Sequence, residues 1–143
     1  MEQIIEAKSI LKNSDLLSVL GESVYNPTKE RLMNRADKYI INPNTAIYTY
    51  KENDTYKGII VIDISNINAI EILNIAVSAS FQKSGIGSSL INYCINMFHP
   101  DEITAETDDD AVEFYKKFGF NILSLGDKYG AGIMRYQCTL KCK

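Results

Sequence analysis

Residues Ser78–Leu90 read "SASFQKSGIGSSL". Gln82, Lys83 and Ser84 lead into Gly85, Ile86, Gly87 and Ser88, and an apolar run follows. Amide, cation and hydroxyl can all hold an anion, and glycine lets a main chain approach one closely. If the apolar run is a helix, its first N–H groups have no intrahelical acceptor and the positive end of its dipole faces the loop, which suits phosphate. The same residues would also serve as a plain turn. Further along, Tyr115 stands in "AVEFYKKFGF". A phenol with an ordinary pKa of about 10 stays protonated at neutral pH and can donate to a leaving group. Read from its helix alone, with Phe114 and Phe118 beside it, Tyr115 fits core packing better. Glu71 precedes the loop in "AIEILNIAV", where strict alternation places Glu71, Leu73, Ile75 and Val77 on one face. A carboxylate beside a concave, partly dry site has a raised pKa and can act as a base; on an open surface it is merely solvated.

Other phosphate-binding patterns do not fit. "GIGSSL" lacks the third glycine of a dinucleotide fingerprint, and Ser78–Ser84 intervene where a strand should run directly into the first glycine. No Gly-Lys-Ser/Thr follows, so a P-loop also fails. The three cysteines, Cys94, Cys138 and Cys142, form no C-x-x-C pair, which suggests neither a disulfide framework nor a thiolate metal site. They form no visible Cys/His arrangement, which makes a covalent nucleophile improbable. His99, the only histidine, precedes Pro100 at the end of the apolar run, where a cationic ring suits a helix C-terminus.

The elements that must position these groups follow from periodicity. "EQIIEA" alternates as a strand, and "SILKNSDLLSVL" has helical spacing, ended by a loop at Gly21. "NPTKERLMNRADKYI" is predicted to be a helix with Thr28 as its cap and a stripe of Leu32, Met33, Ala36, Tyr39 and Ile40. "TAIYTYK" and "YKGIIVIDI" form a hairpin across "ENDT", and "AIEILNIAV" is the next strand. The run Gly85–Phe98 is the central helix, followed by a short strand "EITAE". "DDDAVEFYKKFGF" is a helix with acids in its first turn, lysines in its last and Gly119 at its end. "NILSL" and "GIMRYQCTL" close the chain as strands.

At 143 residues the chain suits one domain, 1–143. A net charge of −3 with no Lys/Arg block argues against nucleic acid as a partner. The start carries acids where a secretion signal would be basic, and the longest apolar run, "IIVI", is far below the roughly 20 residues that span a bilayer. A cytoplasmic protein without membrane contact is therefore expected.

The strand "ILNIAV" followed by Q-x-x-G-x-G in "QKSGIG" resembles the pyrophosphate loop of the GNAT family of acyl-CoA N-acyltransferases. "AVEFYKKFGF" resembles that family's later helix, A-x-x-F-Y-x-x-x-G-F, and the element order agrees over nearly the whole chain. The resemblance implies an α+β, α/β/α layered fold, a central mixed, mostly antiparallel sheet flanked by helices. It implies an acetyl-CoA-dependent N-acetyltransferase with no metal, in which a primary amine attacks the thioester directly in a ternary complex. The strand would splay, so that the main chain at Ile75, Ala76 and Val77 pairs with pantetheine. Gln82, Lys83, Ser84, Gly85, Ile86, Gly87 and Ser88 would surround the pyrophosphate. Tyr115 would be the general acid, and Glu71, or water alone, would take the amine proton. Where many members have an asparagine at the start of the later helix, this chain has "TDDDAV". Asp108, Asp109 and Asp110 would repel a phosphate rather than donate to it. A CoA-binding module without catalysis is the alternative. The acceptor, a small-molecule amine or a peptide or protein amine, is not named by the sequence, and the resemblance also allows a homodimer through the closing strands.

Overall fold

The computed structural model describes residues 1–143. Strands β1 (Glu2–Glu6), β2 (Thr45–Glu52), β3 (Thr55–Asp63) and β4 (Ala69–Val77) form an antiparallel meander. β4 then pairs in parallel with β5 (Glu102–Asp108), and β7 (Arg135–Lys141) lies antiparallel between β5 and β6 (Asn121–Gly126). The sheet order is β1-β2-β3-β4-β5-β7-β6.

β3 shows why the sheet is covered on both sides. Its "GIIVI" has no polar position, and the strand period of two sends Ile59 and Val61 into one core and Ile60 and Ile62 into the other. Helices α1 (Ser14–Gly21) and α2 (Lys29–Ile41) cover the first face with Leu16, Leu17, Leu20, Leu32 and Ala36. On the second face α3 (Ile86–Phe98) lays Leu90, Ile91 and Cys94 over the meander, and α4 (Val112–Phe118) covers β6 and β7. Met33 and Tyr39 are half-buried, and Ile40 falls outside the buried stripe, being exposed near the end of α2.

Two helix starts differ from expectation. "SILKNSDLLSVL" is not one helix: Lys8–Ile10 makes a short 3₁₀ turn, and α1 begins only at Ser14 and runs through Gly21. Asn13 is the cause, since its side-chain oxygen accepts from the amides of Asp15 at 2.9 Å and Leu16 at 3.2 Å, a cap that competes with a helix interior. Likewise Asp108, Asp109 and Asp110 lie before α4 rather than in its first turn, which holds only Glu113 as an acid. The Asp108 carboxylate accepts from the amides of Asp110 at 3.0 Å and Ala111 at 3.3 Å, and so forms a turn that delays the helix.

Candidate active site

The parallel ladder between β4 and β5 is short. It runs from Ala69/Glu102 to Ile72/Ala105, after which β4 continues to Val77 and β5 to Asp108 without pairing to each other. The sheet thus splays open beyond Ile72. On its other side β4 stays paired to β3, with Asn74, Ile75, Ala76 and Val77 opposite Val61, Ile60, Ile59 and Gly58. The Ser78 amide donates to Lys57 O at 2.8 Å, which fixes the phase of that ladder. Asn74 and Ala76 therefore fall in the pairs that exchange hydrogen bonds with β3, and the main chain of Ile75 and Val77 turns toward the splay. The main chain of Ala76 is committed to β3. At Val77 the carbonyl accepts from Gln82 Nε2 at 3.1 Å, so the Gln82 amide ties the loop to the strand end.

The alternation expected in β4 is broken. Val61 faces Asn74 but Ile62 faces Ile72, so Leu73 is an extra residue and forms a bulge. The bulge reverses the parity of the strand. Ile70 and Ile72 before it share the α3/α4 core with Ile75 and Val77 after it, whereas Leu73 and Ala76 pack toward α1 and α2. Glu71 therefore lies on the opposite face from Ile75 and Val77. It is exposed, opposite Asp63 on β3 and Thr104 on β5, not in a dry pocket.

Beyond Val77 the loop is exposed from Gln82 to Gly85. Lys83 at φ 65° and Gly85 at φ 86° both take the left-handed region, which a lysine rarely adopts. The Ser84 hydroxyl donates to Phe81 O, so this side chain holds the loop closed. The first main-chain bond into α3 is Ser89 N to Gly85 O at 3.0 Å, and no side chain caps the helix. The amides of Ile86, Gly87 and Ser88 consequently have no acceptor within the helix.

The two glycines have different reasons to be glycine. A Cβ on Gly85 would meet nothing within 4 Å, so this position faces open space. A Cβ on Gly87 would sit 3.0 Å from the Phe114 ring and 3.9 Å from Ile75 Cδ1. Gly87 is thus where α3, α4 and the end of β4 meet.

Tyr115 is buried at 4% exposure, with edge-on contacts to Phe114 and Phe120 at 5.2 Å between ring centroids. Burial first, then the nearby Cys138, pushes its phenol above the ordinary value. The hydroxyl has no hydrogen-bond partner in the protein, yet it is not among the atoms sealed from solvent. Burial also pushes the Cys94 thiol up to about 12, which disfavours a thiolate nucleophile there. Asp109 accepts from the Tyr136 hydroxyl, so with Asp108 two of the three carboxylates before α4 are engaged within the chain. No group of three or more His, Cys, Asp or Glu side chains gathers into a metal-binding arrangement.

A polar network at the bulge was not foreseen. Asn74 Oδ1 accepts from Arg35 Nη1 at 3.2 Å and from the Tyr39 hydroxyl, and Asn74 Nδ2 donates to Ser23 Oγ at 3.1 Å. It ties the start of the α1–α2 loop and the face of α2 to the point where β4 leaves β5. The available signal was Asn74 itself, a carboxamide within an otherwise apolar stretch.

The model of the acetyltransferase (GNAT) domain family matches residues 19–137. Among solved structures, a GNAT-family protein from Desulfovibrio desulfuricans is 19% identical over 100% of both chains, with a TM-score of 0.81. An acetyltransferase from Bacillus subtilis in complex with CoA is 24% identical over 99% of both chains, with a TM-score of 0.75. A GNAT-family acetyltransferase from Elizabethkingia anophelis with acetyl-CoA bound is 22% identical over 98% of this chain and 97% of its own, with a TM-score of 0.70. These identities show a shared fold. No curated protein matches the chain.

Proposed function

From the premise that this chain belongs to the GNAT acetyltransferase family, we propose that residues 1–143 act as one N-acetyltransferase domain, moving the acetyl group of acetyl-CoA to a primary amine. The observation that carries the reading is the uncapped start of α3 set beside the β4/β5 splay. The amides of Ile86, Gly87 and Ser88, with the loop Gln82–Gly85, receive the pyrophosphate, and Lys83 adds a cation. The pantetheine arm runs along β4, pairing with the main chain of Ile75 and Val77. That route brings the thioester to the bulge at Leu73 and Asn74. The reading is supported by the acetyl-CoA and CoA complexes of the similar folds from Elizabethkingia anophelis and Bacillus subtilis.

In the ternary complex the neutral amine attacks the thioester carbonyl carbon. The tetrahedral intermediate collapses, the C–S bond breaks and CoA leaves as a thiolate. The nitrogen loses one proton to water, alone or relayed to Glu71, which stands exposed on the strand before the bulge. The thiolate gains one. Tyr115 supplies a hydrogen bond to the departing sulfur. An ordinary phenol at about 10 is already a weaker acid than a thiol at about 8.5, and burial widens the gap, so complete transfer from Tyr115 is uphill and the final proton comes from solvent. No helix of the protein is long and apolar enough to cross a membrane, and all three thiols are free, which supports action in the reducing cytoplasm.

Calorimetry with acetyl-CoA, CoA and NAD, followed by release of CoA thiol with a panel of primary amines, tests the reading. Acetyl-CoA and CoA are expected to bind and NAD is not. Binding without thiol release from any amine would leave a CoA-binding module. No binding of either thioester or thiol would end the proposal.

A further inference from the structure

A solvent-open cavity of about 350 Å³ lies between the α1–α2 loop and α2, lined by Val24, Tyr25, Arg31, Asn34, Arg35, Lys38 and Tyr39. Three of the seven are cations and none is a carboxylate. On a helix, Arg31, Arg35 and Lys38 are spaced i, i+4 and i+7, so all three stand along one stripe. Neither Arg31, Arg35 nor Lys38 forms an ion pair, although other cations do, and Asp37 on the same helix is bound instead to Lys12 at 2.5 Å. Like charges at these spacings repel each other and slightly destabilise the bare helix. A chain with net charge −3 has nonetheless gathered them here.

Two of the lining residues reach the β4 bulge, where Arg35 and Tyr39 both bond to Asn74. We infer that this cavity is the acceptor pocket and that it selects small primary amines carrying an anionic group, carboxylate or phosphate, held by Arg31, Arg35 and Lys38 while the amine faces the bulge. The inference rests on the acetyltransferase reading above. Arginine presents its donors as a planar fork that matches either oxyanion, and Arg35 commits only one nitrogen to Tyr39 and Asn74. The volume is at the small end for a ligand site, which favours a small metabolite over a protein segment. Polycationic amines are disfavoured, because each added charge meets three of its own sign.

Two measurements test this. In the first, thiol release from acetyl-CoA is followed with β-alanine, 4-aminobutyrate and O-phosphoethanolamine, against β-alaninamide, ethanolamine and spermidine. An anionic amine is expected to exceed its neutral counterpart by about 10-fold or more in kcat/KM, as a charge-assisted bond would give. The carboxylate and phosphate arms decide which oxyanion fits better. An Arg31→Gln/Lys38→Gln variant, which leaves the Arg35–Asn74 contact in place, should narrow that ratio through KM. Equal rates for charged and neutral amines, or a preference for spermidine, would overturn the inference. The second needs no turnover: with acetyl-CoA saturating, glutarate should raise the melting temperature of the parent protein, 1,5-diaminopentane should not, and the double variant should lose the glutarate response. Acetyl-CoA binding without any glutarate response overturns the anion pocket and leaves acetyl transfer standing. Failure of acetyl-CoA itself to bind overturns both.

Discussion

At the start of α2 the Thr28 hydroxyl accepts the Arg31 amide at 3.1 Å, and at the start of α1 the Asn13 side chain accepts two amides, whereas α3 begins at Gly85 with no side chain on its amides at all. The three helices pack against the same sheet, so the difference is not one of burial. A cap at α1 or α2 closes the helix with the chain's own oxygen and contributes about 1 kcal/mol. At α3 the cap position is a left-handed glycine with no side chain to offer, so the same donors are left for an anion. The start of α3 is thus less stable than it could be, and that deficit is available to a ligand. Tyr115, buried but without a hydrogen-bond partner, belongs with α3 in this contrast.

The contrast breaks most visibly at Gly85. Acetyl-CoA at about 100 times its Kd should stabilise the parent protein by about 2.7 kcal/mol. In Gly85→Val that gain should vanish, since a β-branched residue resists φ 86° and its side chain enters the open side of the loop. The left-handed strain itself costs roughly 1–2 kcal/mol. Denaturation with and without acetyl-CoA reads both quantities, and an undiminished ligand effect would show that Gly85 is only a turn.

Gly87→Val sharpens the comparison because its expected defect is different. The new Cβ would press on the Phe114 ring at 3.0 Å, an overpacking worth roughly 1–3 kcal/mol of stability. Phe114→Leu in the same chain should recover part of that loss. A Gly87→Val protein of parental stability that no longer binds acetyl-CoA would instead show that the phosphate, not Phe114, requires the glycine.

How much of this was legible follows from range. The glycine loop, the order of elements and the Thr28 cap are written in local sequence, through φ preference, periodicity and side-chain type. The splay was expected only through family likeness; nothing in "AIEILNIAV" says where pairing with β5 stops. The bulge at Leu73 is a mismatch in count between two strands, so a single strand read alone gives the wrong face for Glu71. The crowding at Gly87 depends on Phe114, distant in sequence, and the Asn74 network joins residues 35 and 51 positions apart. Each miss is a tertiary contact that local pattern does not encode.

Tyr115→Phe tests the other unspent group. Removing one hydroxyl from a packed ring should leave stability and CoA affinity nearly unchanged. If that hydroxyl bonds the departing sulfur, kcat should fall by about 10-fold, below the usual range of general-acid assistance of roughly 100-fold or more, because the raised phenol pKa limits proton transfer. Rapid-quench measurement of a single turnover reads the chemical step, and an unchanged rate there would make Tyr115 a packing residue.

Thr28→Ala is the control on the closed side and carries the smallest expected change. Alanine tolerates the extended conformation at this position, φ −113° and ψ 161°, so the substitution removes little besides the bond to the Arg31 amide. A stability loss of about 1 kcal/mol is expected. Thr28 caps α2, remote in sequence from the loop and sharing no hydrogen bond with it, so its effect should add to that of Gly85→Val in the double variant. Acetyl-CoA should then stabilise Thr28→Ala by the same increment as the parent, because the cap acts on the folded protein with or without ligand. A smaller increment would mean that the fit of α2 against the sheet, transmitted through Arg35, Tyr39 and Asn74, also sets the width of the splay. The two kinds of helix start would then be coupled rather than independent.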